Sequence, residues 1–142
     1  MNNCIIFILI IIIDQLTKFL SIDNDITIIP NLLKITYIKN TGAIFGIFEK
    51  NIVLIIDIIA IICILIYWKK SQKNDMKNIA FVLIISGSFG NLIDRIFKGY
   101  VIDFIKVIIC GKIPIFNLAD LFILIGFIIF IIIYLKNFSQ KK

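Results

Sequence analysis

The chain has 142 residues, 61% of them hydrophobic, with a mean hydropathy of +1.07. No soluble domain of that length has enough interior to hide so much apolar surface. The net charge is +6, but the basic residues gather at the ends of apolar runs and not along one face, which excludes a nucleic-acid partner.

Four apolar stretches follow in order, at about 4–20, 52–68, 78–97 and 117–135. A membrane span needs roughly 20 residues at about 1.5 Å of rise each. The pattern predicts an all-α polytopic membrane protein with four transmembrane helices, folded as a single membrane-embedded domain over residues 1–142. The first stretch lacks a basic leader and a small-x-small site, so it reads as a permanent helix and not a cleavable signal. Within it, Asp14 and Lys18 are four apart and share a helix face. They form either an ion pair whose lysine snorkels to the headgroups or a polar post beside a site.

The segment from Ser21 to Lys50 is balanced in charge. Its β-branched run from Ile26 to Lys39, broken at Pro30-Asn31, predicts a small extracytoplasmic β-hairpin or half-sheet. It ends in Asn40-Thr41-Gly42-Ala43-Ile44-Phe45-Gly46. There the glycines permit a tight turn and close backbone approach, and Asn40 is placed to aim its amide at a substrate backbone. Asp57, early in the second span, has no role legible in the sequence.

Lys69, Lys70, Lys73 and Lys77 crowd the short segment after the second span, against Asp75 alone, and the tail adds Lys136, Lys141 and Lys142. The positive-inside rule puts that segment and both termini in the cytoplasm. In the third span Gly87, Asn91 and Asp94 fall on one face with Gly90 beside them, a surface for close helix approach and a cross-helix hydrogen bond. Asp94 and Arg95 point different ways, as clamps on neighbouring segments or as parts of a site.

Val101 to Ile109 reads as extended again and breaks at Cys110-Gly111-Lys112-Ile113-Pro114. It carries Asp103, and the fourth span opens with Asn117 and Asp120. Alone, Asn117 and Asp120 imitate a helix capping box, and Asp103 is a loop charge. Together they are two carboxylates at one membrane edge, an expensive placement that marks a functional site. By this topology Asp14, Lys18, Asn40, Asn91, Asp94, Arg95, Asp103, Asn117 and Asp120 all lie toward the extracytoplasmic side. The chain has no histidine, which removes Ser-His and Cys-His mechanisms and His-ligated metal sites. Cys4, Cys63 and Cys110 are too scattered for a disulfide or metal framework and read as buried small hydrophobes. No metal and no cofactor are expected. Two carboxylates about 3 Å apart cannot both ionise cheaply, so a shared proton splits them into an acid and a base.

Five motifs occur in sequence: Asp14-Gln15-x-x-Lys18, Asn40-Thr41-Gly42-Ala43-x-Phe45-Gly46, Gly90-Asn91-Leu92-Ile93-Asp94-Arg95, Val101-Ile102-Asp103-Phe104 and Phe116-Asn117-x-Ala119-Asp120. In their order and membrane sides they resemble the bacterial lipoprotein signal peptidases (signal peptidase II). The resemblance implies an aspartic endopeptidase of the bacterial inner membrane. It would cut prolipoproteins just before a cysteine that already carries diacylglycerol. It places the catalytic pair on Asp103 and Asp120, with support from Asp14, Asn40, Asn91, Asp94, Arg95 and Asn117. Many members have Ala at Ile44 and Ser at Leu121. The expected partners are diacylglyceryl-modified prolipoproteins and membrane lipids, and the expected state is a monomer. Three rivals are a small proton-coupled transporter, a non-enzymatic assembly protein and a carboxylate-ligated metal hydrolase.

Overall fold

A run of Ile, Leu and Phe in hydrocarbon has no water to satisfy its backbone, so each apolar stretch closes its own hydrogen bonds as a helix. The computed structural model describes residues 2–42, 50–71, 75–109 and 111–139. In chain order it contains α1 (Asn3–Leu20), β1 (Asp25–Ile29), β2 (Leu33–Asn40), α2 (Lys50–Lys70), α3 (Asp75–Phe97), β3 (Val101–Val107), β4 (Ile115–Phe116) and α4 (Leu118–Ser139). All four helices are long and apolar enough to cross a membrane, at the places the hydropathy pattern predicts.

Helix α3 is the axis. Of its membrane-length stretch 61% is buried, against 17% in α1, 6% in α2 and 11% in α4. It packs on the other three helices. Small residues allow the closest of these contacts. A Cβ on Gly87 would run into the Ala119 carbonyl oxygen, and one on Gly126 would lie 2.7 Å from the Ala80 carbonyl oxygen. Helices α1 and α2 flank α3 with a cleft between them.

Cys4 and Cys63 are not buried, contrary to the sequence reading; both lie exposed. The reason is geometric: three of the four helices turn most of their surface outward, and a thiol is apolar enough to face lipid. Cys110 lies outside the described residues.

The expected hairpin is part of a larger, four-stranded antiparallel sheet of order β1-β2-β3-β4. Asn31 takes a left-handed φ of +59° in the β1–β2 turn, as Pro30-Asn31 suggested. Strand β2 then pairs with β3, joining the two loops at this end of the bundle. Strand β4 pairs Phe116 with Ile105 and delivers the chain directly to Asn117 and α4.

Candidate active site

Asp103 sits in β3 and is only 3% exposed. Asn40 pairs with Val101 across the sheet, so Asp103, two residues on, is its diagonal neighbour on the same face. Asn40 Nδ2 donates to Asp103 Oδ2 at 2.7 Å. The other end of that amide is fixed as well, because Gly42 N donates to Asn40 Oδ1 at 2.8 Å. This Asx-type turn continues into Gly42 at φ +75°, a conformation that favours glycine. Asn40 is therefore turned onto Asp103. Burial raises the Asp103 pKa; the amide bond from Asn40 opposes it, and the neighbouring charge of Asp120 reinforces it.

Asp120 is the third residue of α4. Asn117 Oδ1 accepts from Asp120 N at 3.0 Å, and Asp120 Oδ2 accepts from Asn117 N at 3.2 Å. That is the reciprocal capping box the spacing imitates. The same Asn117 also donates from Nδ2 to Asp103 Oδ1 at 2.7 Å. Asn91 Nδ2 donates to Asp120 Oδ1 at 2.8 Å. Both oxygens of both carboxylates thus accept an amide hydrogen. Cap and site are one arrangement.

Below the pair lies Lys18, which does not snorkel. It is fully buried, because three partners from two helices surround its ammonium. Nζ meets Asp14 Oδ2 at 2.8 Å, Asp94 Oδ2 at 3.0 Å and Asn91 Oδ1 at 2.9 Å. An ammonium has three donors, and all three are used. Asp14 Oδ1 accepts from Ala119 N at 2.9 Å, a second cap on α4. Asp94 also takes Lys98 Nζ at 2.7 Å and Ile102 N at 3.2 Å, which ties α3 to β3. Gly90 makes room here, since a Cβ on it would lie 2.6 Å from Asp14 Oδ2.

Arg95 points away from this network, as its adjacency to Asp94 requires. Its Nη1 lies 2.7 Å from Asp57 Oδ2, which gives Asp57 a partner the sequence did not suggest. Arg95 also lies against Gly42. Three further polar partners went unread among the site residues. Gln15 donates to the Gly90 carbonyl at 3.0 Å and to Asp14 Oδ2 at 3.2 Å. Lys98 is the second. Tyr37 and Tyr100, with hydroxyls 3.3 Å apart on β2 and just before β3, are the third. Only Gln15 carried a signal, its place in the first motif. Ile44 and Gly46 of the second motif lie outside the described residues. Among the described residues, no three acidic or cysteine side chains come close enough to hold a metal ion.

The description Signal peptidase (SPase) II matches residues 6–136. The chain belongs to the signal peptidase II family. Lipoprotein signal peptidases of Staphylococcus aureus strains JH9 and Newman are each 39% identical to it over 99% of this chain and 92% of theirs. Two solved structures, each titled a bacterial membrane enzyme structure by the in meso method, share the fold. One, at 2.3 Å, has a TM-score of 0.87 and 37% identity over 99% of this chain and 91% of its own. The other, at 1.9 Å, has a TM-score of 0.84 and 36% identity over 94% and 92%. As a signal peptidase II, the chain is a multi-pass membrane protease that removes signal peptides from prolipoproteins. The transporter and assembly readings fall away.

Proposed function

We propose that this signal peptidase II is an aspartic endopeptidase in which Asp103 and Asp120 share one proton. The observation that carries the reading is that a single residue, Asn117, bonds both carboxylates. Asp103, whose pKa is raised by burial, holds the proton. Asp120 takes a proton from water as that water attacks the scissile carbonyl. Asp103 protonates the carbonyl oxygen, and the roles then reverse to release the amine. Asn40, Asn91 and Asn117 orient the pair. Asp14, Lys18 and Asp94 hold the helix ends on which it is built. Arg95 with Asp57, beside Gly42, ties α2 to the site end of α3.

The substrate is a prolipoprotein with diacylglycerol on a cysteine, cut just before that cysteine. A lipid-anchored substrate suits a pair held at the end of apolar helices, because its acyl chains stay at bilayer depth. The enzyme works as a monomer among membrane lipids in the bacterial inner membrane. Lys69 and Lys70 close α2 at the end away from the aspartates, which supports cytoplasmic termini and an extracytoplasmic site.

The test is cleavage of a lipidated and a non-lipidated precursor peptide by the purified protein. Only the lipidated peptide should be cut, and Asp103→Asn and Asp120→Asn should each lose roughly 10²- to 10⁴-fold in rate. Full cleavage by either variant would sink the dyad. Equal cleavage of both peptides would sink the substrate assignment.

A further inference from the structure

The end of the bundle away from the aspartates carries a second built feature, which none of the peptidase geometry uses. Between the start of α1, the end of α2 and the start of α3 lies a cavity of about 660 Å³ lined by Asn3, Leu65, Trp68, Lys69, Ser71 and Asn78. It shares Asn3, Leu65 and Trp68 with an apolar slot of about 420 Å³ running down the cleft between α1 and α2. Phe7, Ile8, Val82, Ile85 and Phe89 line the rest of that slot with Cys4.

The two spaces differ in chemistry. Among the described residues, the first offers an ammonium, a hydroxyl and two amides, and no carboxylate lines it. Its wall is ordered: Trp68 Nε1 donates to Asn78 Oδ1 at 2.9 Å, and the indole stacks on Phe81 at 5.9 Å and 23°. That bond occupies the amide oxygen of Asn78 and leaves its NH₂ group as the donor. Trp at such a level is an interfacial anchor, and a lysine beside it meets the headgroup layer. A positive polar mouth opening into a hydrocarbon-lined slot has the two-part form of one lipid.

We propose that this mouth and slot bind an anionic phospholipid, with the phosphate at Lys69 and Asn78 and one acyl chain in the cleft between α1 and α2. Charge complementarity selects the occupant: among the described residues that line the mouth, Asn3, Lys69, Ser71 and Asn78 can each donate a hydrogen bond, and the one charge is positive. The inference rests on the fold and not on the aspartic mechanism.

Trp68 is the only tryptophan in the chain, so its fluorescence reports the site directly. The whole protein would be placed in phosphatidylcholine vesicles with increasing fractions of acyl-brominated phosphatidylglycerol, or of acyl-brominated phosphatidylcholine. Brominated phosphatidylglycerol should reach half-maximal quenching at a lipid fraction about fivefold lower, the effect of one lysine near an anionic headgroup. Lys69→Gln should remove that preference, and Lys136→Gln, an exposed lysine near the end of α4, should keep it. Equal quenching by the two lipids overturns the proposal. If a lipidated precursor peptide then abolishes that equal quenching, the slot belongs to the substrate's apolar helix. Equal loss of preference in both lysine variants also overturns it, by assigning the effect to general surface charge.

Discussion

Asn117 and Asp120 cap each other at the first turn of α4, through bonds of 3.0 and 3.2 Å. The residue that starts the helix therefore also sets the orientation of one carboxylate. Through its side-chain nitrogen it sets that of Asp103. Replacing it with Ala removes a helix cap, with an expected loss of about 1 kcal/mol of stability. It also frees Oδ1 of Asp103 and leaves Asp120 N without its cap, while the backbone bond from residue 117 to Asp120 Oδ2 remains. Asn117→Ala is thus expected to lose far more cleavage than the cap alone explains, with intact helical content. Circular dichroism beside a cleavage assay checks this; near-normal cleavage would mean that the orientation does not matter.

Lys18 stands between Asp14 and Asp94 with all three side chains fully buried. Lys18→Met keeps the length and removes the charge, which leaves Asp14 without a cation and Asp94 with Lys98 alone. Breaking a buried pair of this kind costs about 3–5 kcal/mol. Thermal unfolding in detergent should show a large drop in Tm, and restoring Lys18 in the same background should recover it. A variant as stable as the parent would show that the network is not what holds α1 to α3.

Gly87→Ala tests the α3–α4 contact independently of the carboxylates. The added methyl would collide with the Ala119 carbonyl, one residue before Asp120. Overpacking typically costs about 1–3 kcal/mol. Here it should also displace the first turn of α4. The expected result is a fall in kcat at nearly constant KM, because the carboxylate moves while the substrate path stays open. A fall in stability with unchanged kcat would mean that the backbone absorbs the methyl elsewhere.

The pH behaviour follows from Asp103. Its pKa is raised from the ordinary value of 3.8, chiefly by burial. The folded state then binds this proton more tightly than the unfolded chain does. Stability from this group is complete below 3.8, and it declines as pH rises through the higher folded value. Unfolding measured across that window should show a slope that Asp103→Asn removes. Cleavage by the wild type should fall at the alkaline side of the same window, because the proton donor is lost. An identical slope in the variant would place the titration on another group.

The helices were legible because hydropathy and length are local properties. Asp103 and Asp120 each had a bland reading alone, a loop charge and a helix cap, and stood out only as two carboxylates at one membrane edge. The burial of Lys18 was not. A snorkelling lysine and a buried one have the same local sequence, and what separates them is Asp94 and Asn91, which arrive from another helix. Asp57 was silent for the same reason, since its partner Arg95 comes from α3. The sheet looked like a hairpin because β4 is two residues long and follows Pro114, too short to show alternation. Cys4 and Cys63 misled because hydrophobic composition in a thin bundle does not mean interior.

The bond from Asp14 to Ala119 N joins the first helix of the chain to the last. A newly made polypeptide supplies α1 before α4. Until both stand in the bilayer together, the opening amides of α4 lack one of their acceptors and Asp14 Oδ1 lacks the Ala119 donor. The proposed catalytic geometry is thus complete only once α1 and α4 have met. On the proposed mechanism, a partly inserted chain would lack the assembled pair, and closure of the bundle would be what supplies it.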